Sequence, residues 1–171
     1  MDDDAFADLF AGNEVYAAAE HQVAETGVAR RGLAIVTCID SRIDPLAVLG
    51  LVPGDAKILR NAGARVTDDV LRSLALAVAA LGVTRVAVVQ HTDCKMASAS
   101  DDELVEAVLG ATGRDDLAFE PRAITDHATV LGSDVHVLLD SPLLPDGIVV
   151  GGLLLDLHSG RLTTVVAPRT S

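Results

Sequence analysis

Two short runs rich in apolar and β-branched residues constrain the fold of this chain more than any other feature. They are residues 33–37 (Leu-Ala-Ile-Val-Thr) and 84–90 (Thr-Arg-Val-Ala-Val-Val-Gln). Such runs are typical of strands that are covered on both faces of a sheet. Between them, apolar residues recur at helical spacing from Val70 to Leu81, behind a capping Thr67. Buried strands that alternate with amphipathic helices predict an α/β fold with a mainly parallel central sheet flanked by helices.

Other segments extend this pattern over the whole chain. Further strands are predicted at residues 56–60, 148–157 and 162–166, and further helices at residues 4–25, 44–50 and 100–109. His158-Ser159-Gly160 makes the last two strands a C-terminal hairpin. The first helix would form an N-terminal arm with an apolar stripe of Phe6, Phe10 and Tyr16. At 171 residues and 50% hydrophobic, residues 1–171 are expected to form one domain.

The order of the strands decides which residues meet. In parallel α/β sheets, ligands bind at the carboxyl ends of strands, where the helices that follow two neighbouring strands leave to opposite faces. If the core order is 2-1-3, the strands at 33–37 and 84–90 are neighbours, about 4.8 Å apart. Cys38 and His91, which follow them directly, would then lie close together.

The residues at this edge are of types that commonly bind metal ions. Cys38-Ile39-Asp40-Ser41-Arg42 follows the first strand, and His91-Thr92-Asp93-Cys94 follows the other. Two thiolates and one imidazole suit Zn²⁺, and three protein ligands leave one coordination position for water. Either cysteine alone is more often a small core residue. Because both cysteines of the chain and a histidine fall at one sheet edge, a metal site is the better interpretation.

Several other functions lack support. Only three residues separate Cys38 from Arg42, too few to wrap a phosphate, and no G-x-G-x-x-G follows the first strand. The net charge of −12 disfavours nucleic acid and anionic membranes as partners. The longest apolar stretch, residues 74–83, is shorter than the ~20 residues that span a bilayer. Acidic residues at 2–4 do not suit a secretory signal, so a cytoplasmic location is expected.

Three blocks of sequence, in this order, resemble the β-class carbonic anhydrases. They are C-x-D-S-R at 38–42, R-N-A-G-A at 60–64 and H-T-D-C at 91–94. Residues 33–96 resemble the short, single-domain members particularly well, and the flanking segments resemble the family loosely. The resemblance implies reversible hydration of carbon dioxide to bicarbonate by zinc-bound hydroxide. It also implies a metal-site core at residues 33–96, and an arm at residues 1–27 that clasps its neighbour in a homodimer or higher homo-oligomer.

The same resemblance implies roles for individual residues. One Zn²⁺ per chain would be held by Cys38, His91 and Cys94, beside a catalytic pair of Asp40 and Arg42. Asp40 would accept the hydrogen bond of the hydroxide, and Arg42 would orient Asp40 in fork geometry. Without that pairing, Asp40 could become a further metal ligand and close the site. An ordinary salt bridge at a strand end is the alternative for this pair.

The substrate side of the site is less distinctive. Asn61, Ala62 and Gly63 are expected to bind substrate, because glycine lets the backbone approach a ligand closely. Val66 is expected to add an apolar wall. A simple turn and plain core packing are the alternatives.

Three functions stay open on the sequence alone. They are hydration of carbon dioxide, hydrolysis of carbonyl sulfide or carbon disulfide at the same site, and a non-catalytic zinc protein in which Asp40 closes the site. Two departures from the family bear on substrate preference and rate: Lys95 replaces a common Gly, and no Gln precedes the first strand. Four histidines fit no ligand pattern and are interpreted as surface or structural residues: His21, His127, His136 and His158.

Overall fold

The central element of the fold is a five-stranded sheet. The computed structural model describes residues 5–19 and 26–171. Its strands are β1 (Leu33–Cys38), β2 (Ala56–Asn61), β3 (Arg85–His91), β4 (Val149–Leu155) and β5 (Leu162–Thr170). They lie in the order β2-β1-β3-β4-β5, with the first four parallel and β5 antiparallel to β4. The predicted mainly parallel sheet with a 2-1-3 core and a C-terminal hairpin is confirmed.

Helices precede and connect these strands. They are α1 (Ala7–Ala18), α2 (Pro45–Leu49), α3 (Asp68–Ala80), α4 (Asp101–Thr112) and α5 (His127–Leu139). The predicted caps are present: Asp44 accepts from the backbone N–H groups of Leu46 and Ala47, and Ser100 and Glu103 form a reciprocal capping box. Within the described residues, no helix combines the length and the apolar character that a bilayer crossing requires.

The predicted N-terminal helix was too long. Helix α1 ends at Ala18, and Ala19 has an extended backbone conformation. The prediction ran to residue 25 because the segment contains no proline and no glycine stands between Gly12 and Gly27. None of the residues of α1 is buried, so packing does not prolong the helix. The remainder of the prediction, residues 4 and 20–25, lies outside the described residues.

Two clusters of buried side chains cover the sheet. The larger cluster packs α3 and α5 on the strands and includes Val36 and Val88. The smaller cluster includes Ile35 and Val89, with side chains of α2 packed against it. Because neighbouring residues of a strand point to opposite faces, the two clusters lie on opposite sides of the sheet. Both cysteines belong to the smaller cluster, so this side of the sheet carries the candidate site.

Candidate metal centre

The parallel register brings three potential ligands together at the carboxyl ends of β1 and β3. Thr37 pairs with Val89 across the two strands, so the residues that follow them emerge side by side. One ligand atom from each of Cys38, His91 and Cys94 lies within 4.8 Å of the other two, and all three residues are buried. The cysteine sulfurs are 3.9 Å apart and both thiols are free.

This donor set fits a tetrahedral zinc ion. Zn–S bonds of ~2.3 Å at the tetrahedral angle place two sulfurs about 3.8 Å apart, close to the 3.9 Å between Cys38 and Cys94. Nδ1 of His91 donates to the Thr92 carbonyl at 2.8 Å, which leaves the lone pair on Nε2. That Nε2 is buried and has no hydrogen-bond partner among the described residues. A metal ion would satisfy this otherwise costly buried acceptor.

The two sulfurs share a proton unequally. A hydrogen bond from the Cys94 thiol lowers the pKa of Cys38 to about 4 despite burial, with help from His91 and from the backbone N–H groups of Asp40 and Gly63. The same hydrogen bond, together with burial, raises the pKa of Cys94. Burial opposes a charge on His91, but the neighbouring Cys38 sulfur and the Thr92 carbonyl stabilise the protonated ring and raise its pKa overall. The metal-free site therefore carries one thiolate that attracts a cation.

Asp40 and Arg42 form a fork beside the ligand group, in the loop after β1. Arg42 Nε donates to Asp40 Oδ1 at 3.0 Å, and Nη2 donates to Oδ2 at 2.7 Å. These hydrogen bonds hold the pKa of Asp40 well below its usual value. Asp40 Oδ2 lies 3.9 Å from His91 Nε2, yet the three-residue ligand group does not include Asp40. The carboxylate is thus turned to the guanidinium next to the ligand atoms.

The predicted substrate-binding residues lie in different environments. Asn61 and Ala62 line an open cleft of about 720 Å³, whose lining contains none of the three ligand residues. Gly63 is buried at a φ of 78°, and a Cβ there would lie 3.2 Å from the Met96 side chain. Its backbone N–H contributes to the low pKa of Cys38. Val66 is buried in the larger core cluster.

A buried ion pair anchors the loop that carries Asn61 to Gly63. The Asn61 amide group both donates to the Arg65 carbonyl and accepts from the Arg65 N–H, at 2.7 and 2.8 Å. Arg65 Nε in turn donates to the buried Asp134 of α5 at 2.8 Å. The backbone beside Cys38 is therefore tied to α5.

Sequence reasoning assigned no role to two residues that contact the site. Arg60 donates to the carbonyl oxygens of Cys38 and Asp40, at 2.8 and 2.7 Å. Asp93, between two of the ligands, accepts from Arg42 through its carboxylate and its carbonyl oxygen. The only signal in the sequence was the position of each residue within a motif block. Residue type alone predicts neither the contacts of Arg60 with the two carbonyl oxygens nor the left-handed turn at Asp93.

Lys95 and the other histidines that the structure describes are not members of the ligand group. Lys95 and His158 are exposed. His127 Nδ1 is 2.8 Å from Gln90 Oε1, and His136 Nε2 is 3.0 Å from Asp140. His21 lies outside the described residues.

Comparison with known proteins agrees with this geometry. A family model described as carbonic anhydrase matches residues 33–114. β-Carbonic anhydrase 1 of Mycobacterium tuberculosis is 33% identical over 133 residues, which cover 78% of this chain and 81% of that protein. A crystal structure of carbonic anhydrase from Streptococcus mutans superposes with a TM-score of 0.86 at 35% identity, covering 94% of this chain and 96% of the other. The chain therefore belongs to the β-carbonic anhydrase family, as its three motif blocks indicated.

One further relative is named for a different substrate. Carbon disulfide hydrolase of Saccharolobus solfataricus is 43% identical to this chain over 79 residues. The match covers 46% of this chain and 39% of that protein.

Proposed function

We propose that this protein is a zinc-dependent carbonate dehydratase that reversibly hydrates carbon dioxide to bicarbonate. The observation that carries the proposal is the buried group of Cys38, His91 and Cys94, with ligand atoms within 4.8 Å, beside the Asp40–Arg42 fork. When bound, Zn²⁺ supplies Lewis acidity that lowers the pKa of a bound water to about 7. Cys38, His91 and Cys94 would hold one ion per chain, with His91 oriented by the Thr92 carbonyl.

Asp40 would aim the nucleophile. Because Arg42 keeps the pKa of Asp40 low, the carboxylate stays ionised at neutral pH and acts as a hydrogen-bond acceptor. Accepting a hydrogen bond from the attacking water would point the oxygen lone pair at the carbon of the substrate. Arg42 holds Asp40 in this orientation. Without the hydrogen bonds from Arg42, Asp40 could instead become a metal ligand and close the site.

The loop at residues 61–63 would receive the substrate. Ala62 and Gly63 follow the strand next to β1. The exposed backbone of Ala62 would contact the bicarbonate, and Gly63, whose N–H already donates to Cys38, would let the loop lie close to the site. Asn61 would keep the loop closed through its two hydrogen bonds to Arg65. Val66 would support the apolar wall from the core side.

Hydrolysis of carbon disulfide is a second candidate, and the relative in Saccharolobus solfataricus favours it. Carbon disulfide and carbonyl sulfide are linear triatomic molecules, as carbon dioxide is. The same nucleophile could therefore attack the carbon of each. Access to the pocket would decide among these substrates.

An ¹⁸O-exchange assay with carbon dioxide tests the proposal when bound zinc is counted in the same sample. We expect about one zinc per chain and an exchange rate that rises through neutral pH, because ionisation of the attacking water is required. Chelator-treated protein, assayed before and after zinc is restored, serves as the control. Zinc-free folded protein would contradict the proposal. Full zinc with no exchange at any pH would indicate a non-catalytic zinc protein, and release of sulfide from carbon disulfide would indicate the second candidate.

We also propose a homodimer or a higher homo-oligomer. Five large apolar side chains of the N-terminal segment are each more than half exposed: Phe6, Leu9, Phe10, Val15 and Tyr16. Such a concentration on one helix favours packing on another subunit. Analytical ultracentrifugation should show the double variant Phe6→Glu/Phe10→Glu shifted toward the monomer. Leu143→Glu, a change at a leucine outside the arm that is also more than half exposed, serves as the control. An unchanged mass in the double variant would contradict this role of the arm.

The proposal extends to organisation and location. Residues 1–171 would form one domain, with residues 1–27 as its arm and residues 33–96 as its metal-site core. A cytoplasmic location is supported by the two free thiols, which a reducing compartment keeps available for metal.

A further inference from the structure

Asp93 occupies an unusual turn between two of the candidate ligands. Its φ is 55°, in the left-handed region that aspartate tolerates better than most residues other than glycine. In this turn its carboxylate Oδ2 lies 2.7 Å from Arg42 Nη1, and its carbonyl oxygen lies 2.9 Å from Arg42 Nη2. One residue thus presents two acceptors to the same guanidinium.

Arg42 is held from two loops at once. Its Nε and Nη2 groups grip Asp40 in the loop after β1, and its Nη1 and Nη2 groups bind Asp93 in the loop after β3. All but one of the N–H donors of the guanidinium are therefore engaged. Because the guanidinium is planar and rigid, these bonds fix the two carboxylates relative to each other.

Without Asp93, the Asp40–Arg42 pair would be held within a single loop. Only Ser41 separates the two residues, and the Arg42 side chain is 52% exposed, where water competes for its hydrogen bonds. Asp93 adds an anchor from the loop that carries His91 and Cys94. The Asp40 carboxylate lies only 3.9 Å from His91 Nε2, so a loosened Arg42 would free an oxygen next to the ligand atoms.

We propose that Asp93 is a positioning residue, which acts through Arg42 to keep Asp40 turned toward the guanidinium and out of the metal's coordination sphere. This inference deepens the proposed function and rests on it for the effect on activity. It predicts that loss of the Asp93 carboxylate favours the closed arrangement. The alternative is an exposed ion pair without influence on the site.

A double-mutant cycle tests the coupling. Asp93→Asn keeps a side chain that tolerates the left-handed turn but removes the charge, and it should lower the ¹⁸O-exchange rate by about 10- to 100-fold, the usual effect of losing an outer partner of a metal site. In an Arg42→Ala background the same change should have no further effect, because Asp93 acts only through Arg42. Asp116→Asn, a change in an exposed Asp–Arg pair elsewhere, serves as the matched control. If the parent protein is active, an equal exchange rate for Asp93→Asn would overturn the inference.

A spectroscopic measurement separates this inference from the proposed function. In protein loaded with Co²⁺, azide should change the visible spectrum of the parent and of Asp116→Asn. It should change the spectrum of Asp93→Asn much less, because Asp40 would occupy the open position.

If the parent takes up azide but catalyses no exchange, the proposed activity fails and the azide result still decides the role of Asp93. Asp93→Gly, which adopts the turn without strain, replaces Asp93→Asn if the latter folds poorly. Full azide binding by these variants would overturn the inference.

Discussion

Cys94→Ser should lose tight zinc binding while the chain still folds. A serine hydroxyl is a poor ligand compared with a thiolate, so the site would be left with one sulfur and one imidazole. Since the loss of an outer partner already costs 10–100-fold in metal affinity, we expect a loss of more than about 100-fold here. The zinc content after dialysis and competition with a chromophoric chelator measure the effect.

Met96→Leu is the matched control for this experiment. It removes a neighbouring sulfur that is not part of the ligand group, and the swap nearly conserves volume. Its zinc content should equal that of the parent. A Cys94→Ser protein that retains one zinc with the parent's resistance to chelation would show that Cys94 is not a ligand.

The same titration should depend on pH in a defined direction. The lowered pKa of Cys38, about 4, and the raised pKa of Cys94 mean that the metal-free pair carries one proton at neutral pH. Zinc needs both thiolates and expels that proton, so affinity should rise about tenfold per pH unit across the neutral range. Because the pKa of His91 is raised, a second proton must be released at a higher pH than is usual for an imidazole, and this release steepens the dependence. In Cys94→Ser the thiol proton is absent, so the slope near neutral pH should become shallower.

Arg42→Ala should keep zinc and lose most of the hydration activity. The substitution leaves Cys38, His91 and Cys94 intact, but it removes the fork that orients Asp40. Misplacement of an aiming group by ~1 Å can cost about 100-fold in rate, and we expect a loss of that order. Arg42→Lys should recover little, because a single ammonium cannot reproduce a fork to one carboxylate together with a bond to Asp93. Exchange rates at equal zinc occupancy measure the effect.

Arg72→Ala provides the comparison for Arg42→Ala. Arg72 is an exposed arginine paired with Asp69 on α3, and its loss should leave the exchange rate unchanged. If Arg42→Ala also turned over carbon dioxide at the parent rate, Arg42 would have no part in the mechanism. A large loss in both variants would indicate a general effect of removing surface charge.

The centre of the sheet could be predicted from sequence because its inner strands β1 and β3 are covered on both faces. Continuous apolar runs such as residues 33–37 identify strands without any knowledge of their partners. Parallel strands then place the residues that follow them at one edge. For Cys38 and His91 this reasoning required only that two strands be neighbours, which the register of β1 and β3 confirms.

Helix α5 could not be predicted in the same way. It contains β-branched residues and Gly132, which have low helix propensity, and its buried residues Leu131, Val135 and Leu138 are ordered by packing rather than by local preference. The ion pair between Arg65 and Asp134 depends on this helix, so the sequence could not predict this ion pair either. The contribution of Asp93 depends on a single backbone angle, which residue type alone does not determine.

The sequence separation of the candidate ligands has a consequence for how metal would enter and leave. Cys38 and Cys94 are 56 positions apart, and their sulfurs meet only because β1 and β3 are paired. An unfolded chain would have to close a loop of that length, at an entropic cost of about 4 kcal/mol, before both sulfurs could grip one ion. Zinc would therefore bind the native chain in strong preference to the unfolded one. We expect the rate of zinc dissociation to be limited by the rare separation of these two strands. The half-life of the bound ion would then measure local opening of the sheet.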